Sequence, residues 1–445
     1  MENWPLELIQ RMLAHLDLAS LRNAALSCRT FLVAFNSAEV LITSEILLRQ
    51  IDLDVLPEAI LVHKSSLLGK PSVDKGIKFA NTYLKSRTPA PSQWRLVDAL
   101  PLERFHHFVN YFANTLANEA LEKQPRLLAL GEQPKPSCEE IHRFERALYR
   151  FQLYCNVVGD VFPEDLDKLR DMFFVHFAAW ENEQLACIHE YLMRVVAKPF
   201  NYLVDHDITW GYLGVLYICH HSSEYGQFII SRGLEMAYRL STASTYQQWH
   251  ALLSKGEERG CEPYTTGCFL YRGFEVGPNI SIMTYDSLSN LNEEDRRFVA
   301  GSPFYDDPDR GPVSMWEWVY RDQLLGFLVA DDRMIRHWQW AYPFWNLSRL
   351  QSAALLGDPS ISESTQHTEL ELDVYNTPER MESLEKSQRA RARLWNSDGT
   401  GYWSAENQEE VVWPRRKPRP SLSANLRALE ARRLRQGPVP DLKQK

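Results

Sequence analysis

Several histidines lie close to acidic residues, a combination that metal-dependent hydrolases use. Asp205, His206 and Asp207 are consecutive, and His176 and His189 precede them. Histidine and aspartate side chains that converge on one metal ion would activate a water molecule for phosphate-ester hydrolysis on a helical body. With 13 histidines and 58 acidic residues in the chain, such a dipeptide also arises by chance. A helix cap or a loop is then the structural alternative.

Other reactive residue types are arranged unfavourably for catalysis. His106-His107 and Cys219-His220-His221 are sequence neighbours, and neighbouring side chains on a helix point about 100° apart, away from a shared metal. The seven cysteines lack zinc-type spacing and are expected to be free thiols. The sequence contains no Gly-rich phosphate loop, Gly-x-Ser-x-Gly elbow or Cys-x-x-Cys pair. We therefore expect no catalytic residues, no metal and no cofactor.

The composition is that of an acidic globular chain with a basic end. Its 445 residues are 44% hydrophobic and 12% aromatic, enough for a sizeable core in two or three domains. The net charge of −9 combines +8 in residues 413–445 with −17 elsewhere. An acidic body argues against broad nucleic-acid binding. Without a signal peptide or a long apolar run, we expect an intracellular protein, cytoplasmic or nuclear, that does not contact membranes.

The first stretch of the chain that could form a functional surface runs from Trp4 to Phe31. In a helix with about 100° per residue, its first apolar side chains cover roughly 160° of the circumference. They are Leu6, Leu8, Ile9, Met12, Leu13 and Leu16. Packing on one side requires an apolar stripe of only about 100°. The width therefore predicts that two bodies contact this helix, its own domain and a partner.

Local signals divide this stretch into three short helices. Pro5 suits a first helical position, and Asp17 and Ser20 are typical N-cap residues for a second helix. A third helix would follow Ser27. Because three helices of two or three turns bury too little surface to fold alone, we expect them to pack on a neighbour.

This stretch resembles the F-box. In that family, Leu-Pro-x-Glu is followed by apolar residues, Leu-Asp, Ser-Leu, and then Cys-Arg before an aromatic residue. The matching positions are Pro5, Glu7, Leu8, Ile9, Met12, Leu13, Leu16, Asp17, Ser20, Leu21, Leu26, Cys28, Arg29 and Phe31. Trp4 replaces the usual Leu and Met12 the usual Ile, and both exchanges keep an apolar side chain. An F-box before an uncharacterised helical region is similar to many fungal F-box proteins.

The resemblance implies docking to a Skp-family adaptor and, through it, to a cullin of a ubiquitin ligase. The chain would then be a non-catalytic receptor whose remaining residues hold an unknown protein substrate. Carried over by position, the adaptor contacts would be Pro5, Leu8, Ile9, Met12, Leu13, Leu16, Leu21 and Leu26. Three alternatives stay open: a structural F-box adaptor outside a ligase, a helical metal-dependent hydrolase, and an ordinary helical hairpin packed on its own protein.

The whole chain predicts a mainly α fold, an irregular helical bundle or array without leucine-rich, propeller or kelch repeats. We expect an F-box over residues 1–36, a helical linker over 37–92 and a helical body over 93–260. An irregular segment with aromatic-rich helices would span 261–356. A linker, one helix and a disordered basic tail would span 357–445.

Capping signals locate two helix starts in the later part of the chain. Ser137-Cys138-Glu139-Glu140 is a capping box, and Thr377-Pro378-Glu379 is typical of a first helical turn that would lead to an end near Trp395. A single further helix is expected over 222–240.

A tryptophan-rich stretch is a second candidate binding region. Tryptophan is frequent at binding hot spots, which favours a substrate pocket. The residues are Trp316, Trp338, Trp340 and Trp345. Large aromatic side chains at near-helical spacing are also typical of a core, and this alternative stays open.

A basic cluster near the end resembles a nuclear import signal. Its charged residues are Arg415, Arg416, Lys417 and Arg419. Clusters of this length are also common in solvated tails, so an inert tail is the alternative.

Overall fold

The computed structural model describes most of the chain and confirms a mainly α fold. The described residues are 4–69, 72–85, 93–131, 135–158, 173–220, 223–254, 287–322, 332–362 and 372–413. Among them, the only strands are β1 (Thr400–Gly401) and β2 (Val411–Val412), which pair antiparallel. The proposed nuclear import residues Arg415, Arg416, Lys417 and Arg419 lie outside these ranges.

The chain forms two compact units. The first is built from Met1–Leu203 and Leu216–Met381, and the second from Val204–Val215 and Glu382–Lys445. This division differs from the five consecutive segments expected from the sequence, because each unit combines pieces that are far apart in the chain.

The first unit begins with five helices: α1 (Leu6–Ala14), α2 (Leu18–Ser27), α3 (Arg29–Gln50), α4 (Leu56–Ser66) and α5 (Val73–Phe79). The third short helix continues into the linker region, so α3 is one helix of 22 residues. It bends at Ala38, whose φ and ψ of −141° and 27° are not helical. Because α3 packs against α1 and α2, the three helices form one N-terminal group.

Helix α3 has an unusually apolar composition. Within the described residues, it alone is long and apolar enough to cross a membrane by length and composition. Core helices of soluble proteins can have the same length and the same apolar composition. Ile42, Ile46 and Leu47 of α3 are buried, and α3 also packs against α6 (Leu96–Lys123), so packing within the unit explains part of its apolar character.

The centre of the first unit is built on α6, α8 (Cys138–Val158) and α9 (Ala179–His206), with the short α7 (Pro125–Leu128) after α6. The capping box predicted at the start of α8 is confirmed. The Glu140 amide donates to Ser137 Oγ at 3.2 Å, and the Ser137 amide donates to Glu140 Oε2 at 2.8 Å. These bonds satisfy donors that a helix start leaves without an intrahelical partner.

One side of α8 carries three buried arginines, Arg143, Arg146 and Arg150. Arg150 Nη2 donates to Glu181 Oε1 of α9 at 2.8 Å and to Glu58 Oε1 of α4 at 3.2 Å. A buried charge requires a partner, so this ion pairing specifies how α4, α8 and α9 meet.

After α9 the chain forms α10 (Ile208–Leu213), α11 (Glu224–Ser231), α12 (Leu234–Thr242) and α13 (Tyr246–Leu253). The single helix expected over 222–240 is wrong, since α11 and α12 are separate. Gly233, with φ of 85°, interrupts the helix. The backbone amide of Leu234 then donates a hydrogen bond to Gln152 Oε1 of α8 at 2.8 Å.

The last helices of the first unit are α14 (Glu293–Ala300), α15 (Gly311–Val319), α16 (Asp332–Gln339), α17 (Leu347–Ser352) and α18 (Pro359–Ser362). A 3₁₀ turn over Tyr342–Phe344 precedes α17. The Phe344 ring stacks on Phe144 of α8 at 3.9 Å between centroids, which joins this part to the centre of the unit.

The second unit contains α10, the larger part of α19 (Pro378–Trp395), β1 and β2. The predicted start and end of α19 are confirmed. Ile208, Trp403 and Val411 form the core of this unit. Asp207 caps α10 by accepting from the amide of Trp210 at 2.8 Å.

Candidate protein-docking face

Helix α1 has apolar side chains on two faces. Ile9 and Leu13 point inward and are 1% and 2% exposed. Leu8 and Met12, one turn apart, are 46% and 40% exposed. We call the second set, with Trp4 and Pro5, the outer face of α1. An apolar strip that the described part of the chain leaves in water is available to another molecule.

Polar contacts hold α1 on α3. Gln10 Nε2 donates to Ser37 Oγ of α3 at 2.9 Å. At the C-terminal end of α1, Arg49 Nη2 donates to the carbonyl oxygens of Ala14 and Leu16. A cation at these carbonyls also suits the negative end of the helix dipole. The outer face therefore lies on a helix that is held to α3 at its middle and at its C-terminal end.

The start of α2 is fixed in the same way. The Asp17 carboxylate accepts from the amide of Ser20 at 2.7 Å and from its hydroxyl at 2.8 Å, which lowers the pKa of Asp17. Glu103 of α6 accepts from the amide of Leu18 and from Gln50 Nε2. These bonds attach the N-terminal helices to the centre of the first unit.

The eight predicted adaptor contacts divide into two groups. Pro5, Leu8, Met12 and Leu26 are exposed, and Leu16 is intermediate. Ile9, Leu13 and Leu21 are buried within the protein itself, so their assignment as direct contacts is corrected. The sequence gives the width of the apolar arc, but only the position of α3 decides which part of the arc is covered.

Exposed apolar side chains are frequent in the three N-terminal helices. Of the 23 large hydrophobic side chains that are exposed in the described residues, nine lie within residues 4–48. Besides the outer face they include Leu26 at 70%, Leu41 at 68% and Val33 at 52% exposed. Single exposed apolar residues are ordinary, whereas this number of them on three helices is typical of a region that contacts another molecule.

The four tryptophans considered for a pocket are interior residues. Trp316, Trp338, Trp340 and Trp345 are all at most 5% exposed. Trp338 Nε1 donates to Glu183 Oε2 at 2.8 Å, and Trp345 Nε1 donates to the Trp340 carbonyl at 2.9 Å. They therefore pack the core, which corrects their assignment to an open substrate pocket.

An open cavity of about 660 Å³ lies beside one of these tryptophans, Trp316. Arg296, Arg297, Arg321 and Trp318 are among its lining residues. Arg297 pairs with Glu293 at 3.0 Å, and the Arg321 guanidinium lies 5.3 Å from the Trp318 ring. Arg296 Nη2 also donates to the Ser289 carbonyl at 3.4 Å, so all three cations are already engaged by the protein.

The histidine and aspartate residues considered for hydrolysis have structural contacts. Asp207 is the N-cap of α10, and His206 Nδ1 lies 3.0 Å from the Trp403 carbonyl. His189 Nε2 lies 2.8 Å from Gln227 Nε2. Within the described residues, the group with metal-ligand spacing is a different one, Asp52, Asp54 and His142. Sequence reasoning missed it because His142 lies about 90 positions after the two aspartates.

No family model matches the chain, and no curated protein and no solved structure shows a significant similarity to it.

Proposed function

We propose that the chain is the substrate-recognition subunit of a Skp–cullin–F-box ubiquitin ligase. The outer face of α1 docks a Skp-family adaptor, and the helical body holds a protein substrate. The receptor acts without catalysis of its own, by raising the effective concentration of a ubiquitin-loaded enzyme near the substrate. The proposal rests on the F-box-like sequence pattern together with one observation, the apolar outer face that the described residues leave exposed.

The energetics favour docking through several side chains together. Leu8 and Met12 are about half exposed, so burying the remainder contributes roughly 1 kcal/mol each. Trp4, Leu26 and Val33 offer further apolar area close by in sequence. Because association also has a large entropic cost, no single contact suffices. A helix that is held by Ser37 at its middle and by Arg49 at its C-terminal end is already ordered before docking, which reduces that cost.

The experiment introduces charge on the outer face. In Leu8→Asp/Met12→Asp we expect adaptor co-purification to fall at least tenfold while the melting temperature changes little, since both side chains are exposed. The matched control is Leu67→Asp/Val97→Asp, because both residues are 72% exposed and lie elsewhere in the first unit. Adaptor recovery at the parent level from the Leu8→Asp/Met12→Asp variant contradicts the proposal.

A further comparison separates a ligase subunit from a structural adaptor. A ligase subunit retains a cullin together with the adaptor, whereas an F-box protein that acts outside a ligase retains the adaptor alone. Leu13→Asp is unsuitable for either test because Leu13 is 2% exposed and a buried carboxylate unfolds the helix group.

A further inference from the structure

Three residues with metal-binding side chains, Asp52, Asp54 and His142, meet where the N-terminal helices join the body, and a fourth, Cys138, lies beside His142. Asp52 and Asp54 lie in the loop between α3 and α4, and Cys138 and His142 lie in the first turns of α8. The ligand atoms of Asp52, Asp54 and His142 all lie within 4.8 Å of one another. All four residues belong to the first unit.

The cysteine and the histidine are placed as a pair. They are four positions apart on α8, so their side chains share one face of the helix. Cys138 Sγ lies 3.4 Å from His142 Nε2. Tetrahedral ligands at 2.0–2.3 Å from a zinc ion are about 3.3 to 3.8 Å apart, so the pair already has the required separation. In a zinc site all the ligand atoms have about this separation, so Asp52, Asp54 and His142, which lie within 4.8 Å of one another, would draw together by about 1 Å, and the exposed Cys138 side chain would turn toward the two carboxylates.

The charge at this position is uncompensated. Within the described ranges, no lysine or arginine nitrogen lies within 4 Å of either the Asp52 or the Asp54 carboxylate. Burial and the nearby Asp52 raise the pKa of Glu145 to about 7. A divalent cation would relieve this negative potential.

A second layer of contacts orients the aspartates. The Tyr305 hydroxyl donates to the Asp54 carboxylate, and the Arg146 guanidinium lies 3.8 Å from the centre of the Tyr305 ring. The Asp54 amide donates to Asp52 Oδ1 at 2.9 Å, which fixes the loop. Metal ligands in proteins are commonly held by such outer partners.

We propose that Cys138, His142, Asp52 and Asp54 bind a zinc ion. A thiolate and an imidazole in one donor set select zinc over magnesium and calcium, which prefer oxygen ligands only. The two carboxylates complete four-coordinate geometry. The ion would join the loop after α3 to the first turn of α8, and so fix the N-terminal helices to the body that carries the rest of the chain.

The test uses the full-length chain after treatment with a chelator. Zinc is titrated in competition with a chromophoric chelator, and we expect one equivalent to bind and to raise the melting temperature, because a ligand that binds the folded state stabilises it. Cobalt in place of zinc should give a thiolate-to-cobalt charge-transfer band in the near ultraviolet.

Variants assign the ligands. Cys138→Ser and His142→Gln should each weaken zinc binding at least tenfold and remove or shift the cobalt band, and Asp52→Asn/Asp54→Asn should weaken binding to a similar degree. Cys28→Ser is the matched control, because Cys28 is also an exposed free cysteine. The proposal is overturned if the chain binds no equivalent of zinc, or if Cys138→Ser and His142→Gln bind it as tightly as Cys28→Ser. Neither result depends on whether an adaptor binds the outer face.

Discussion

Glu183 shows how a single buried carboxyl is accommodated in this core. Its side chain is fully buried on α9, and it accepts from the Tyr320 hydroxyl at 2.7 Å and from Trp338 Nε1 at 2.8 Å. Burial raises the pKa of Glu183 from 4.5 to about 7, and the two donors limit the rise. The tryptophan-rich stretch therefore supplies a hydrogen-bond donor to this carboxyl and packs the core around it.

The raised pKa of Glu183 makes stability depend on pH. Between pH 4.5 and about 7 the folded chain holds a proton on Glu183 that the unfolded chain has lost. The free energy of unfolding therefore falls as the pH rises through this interval, by up to about 3 kcal/mol. Denaturant titrations at pH 5 and pH 8 should show a smaller fall in Glu183→Gln than in the parent protein.

Tyr320→Phe should increase the pH dependence of stability, whereas Glu183→Gln should decrease it. Tyr320→Phe removes a donor to the charged carboxylate, so the pKa of Glu183 should rise further and the fall in stability with pH should become steeper. A Glu183→Gln protein with the same pH dependence as the parent would show that another group is responsible.

The sequence does not show which of the apolar side chains of α1 are exposed at the docking face. Leu8 and Ile9 are both apolar and adjacent, yet one is 46% and the other 1% exposed. Helical periodicity places both within one wide arc. Their different roles depend on where α3 lies, and no local pattern contains that information.

At the scale of elements, helix ends with local chemistry were predictable. The capping box at Ser137 and the Pro378 start of α19 use side chains within one turn of the helix end, so the sequence displays them. The break at Gly233 was missed because a partner of the new helix start, Gln152, is about 80 positions earlier in the chain.

The start of α15 depends on a close backbone approach at Gly311. A Cβ atom at this position would collide with the carbonyl oxygen of Trp345 and the amide of Leu347. Because these are backbone atoms, they cannot move aside as a flexible side chain would. Gly311→Ala should therefore lower the free energy of unfolding by about 1 to 3 kcal/mol, measured by urea denaturation.

Gly131→Ala is the control for Gly311→Ala. A Cβ at Gly131 would meet no atom within 4 Å, so its substitution should be close to neutral. Equal stability of the two variants would mean that α15 and the Trp345 segment are not in close contact.

At the scale of the whole molecule, the buried ion pairs determine how distant segments assemble in the first unit. Arg150 meets both Glu58 and Glu181, which lie 92 and 31 positions away. Charged residues on a helix usually indicate a solvent-exposed face, so the sequence did not predict this buried network. It did not predict the division into two units either. The mainly α class was, because it depends only on periodicity.

Arg150→Ala tests this role. Removing the arginine leaves two carboxylates buried without their shared cation, and we expect the free energy of unfolding to fall by about 3 to 5 kcal/mol in chemical denaturation. Arg297→Ala is the comparison, because its pair with Glu293 is exposed and should contribute less than about 1 kcal/mol. A loss for Arg150→Ala that is no larger than for Arg297→Ala would contradict this account.

The uncovered outer face of α1 also affects how the protein behaves during production. Exposed apolar side chains such as Leu8 and Leu26 associate in water. The protein expressed without a partner should therefore aggregate increasingly as its concentration rises. Under the proposed function, expression together with a Skp-family adaptor should cover this area and improve the soluble yield. Light scattering across a dilution series, with and without coexpression, would record the difference.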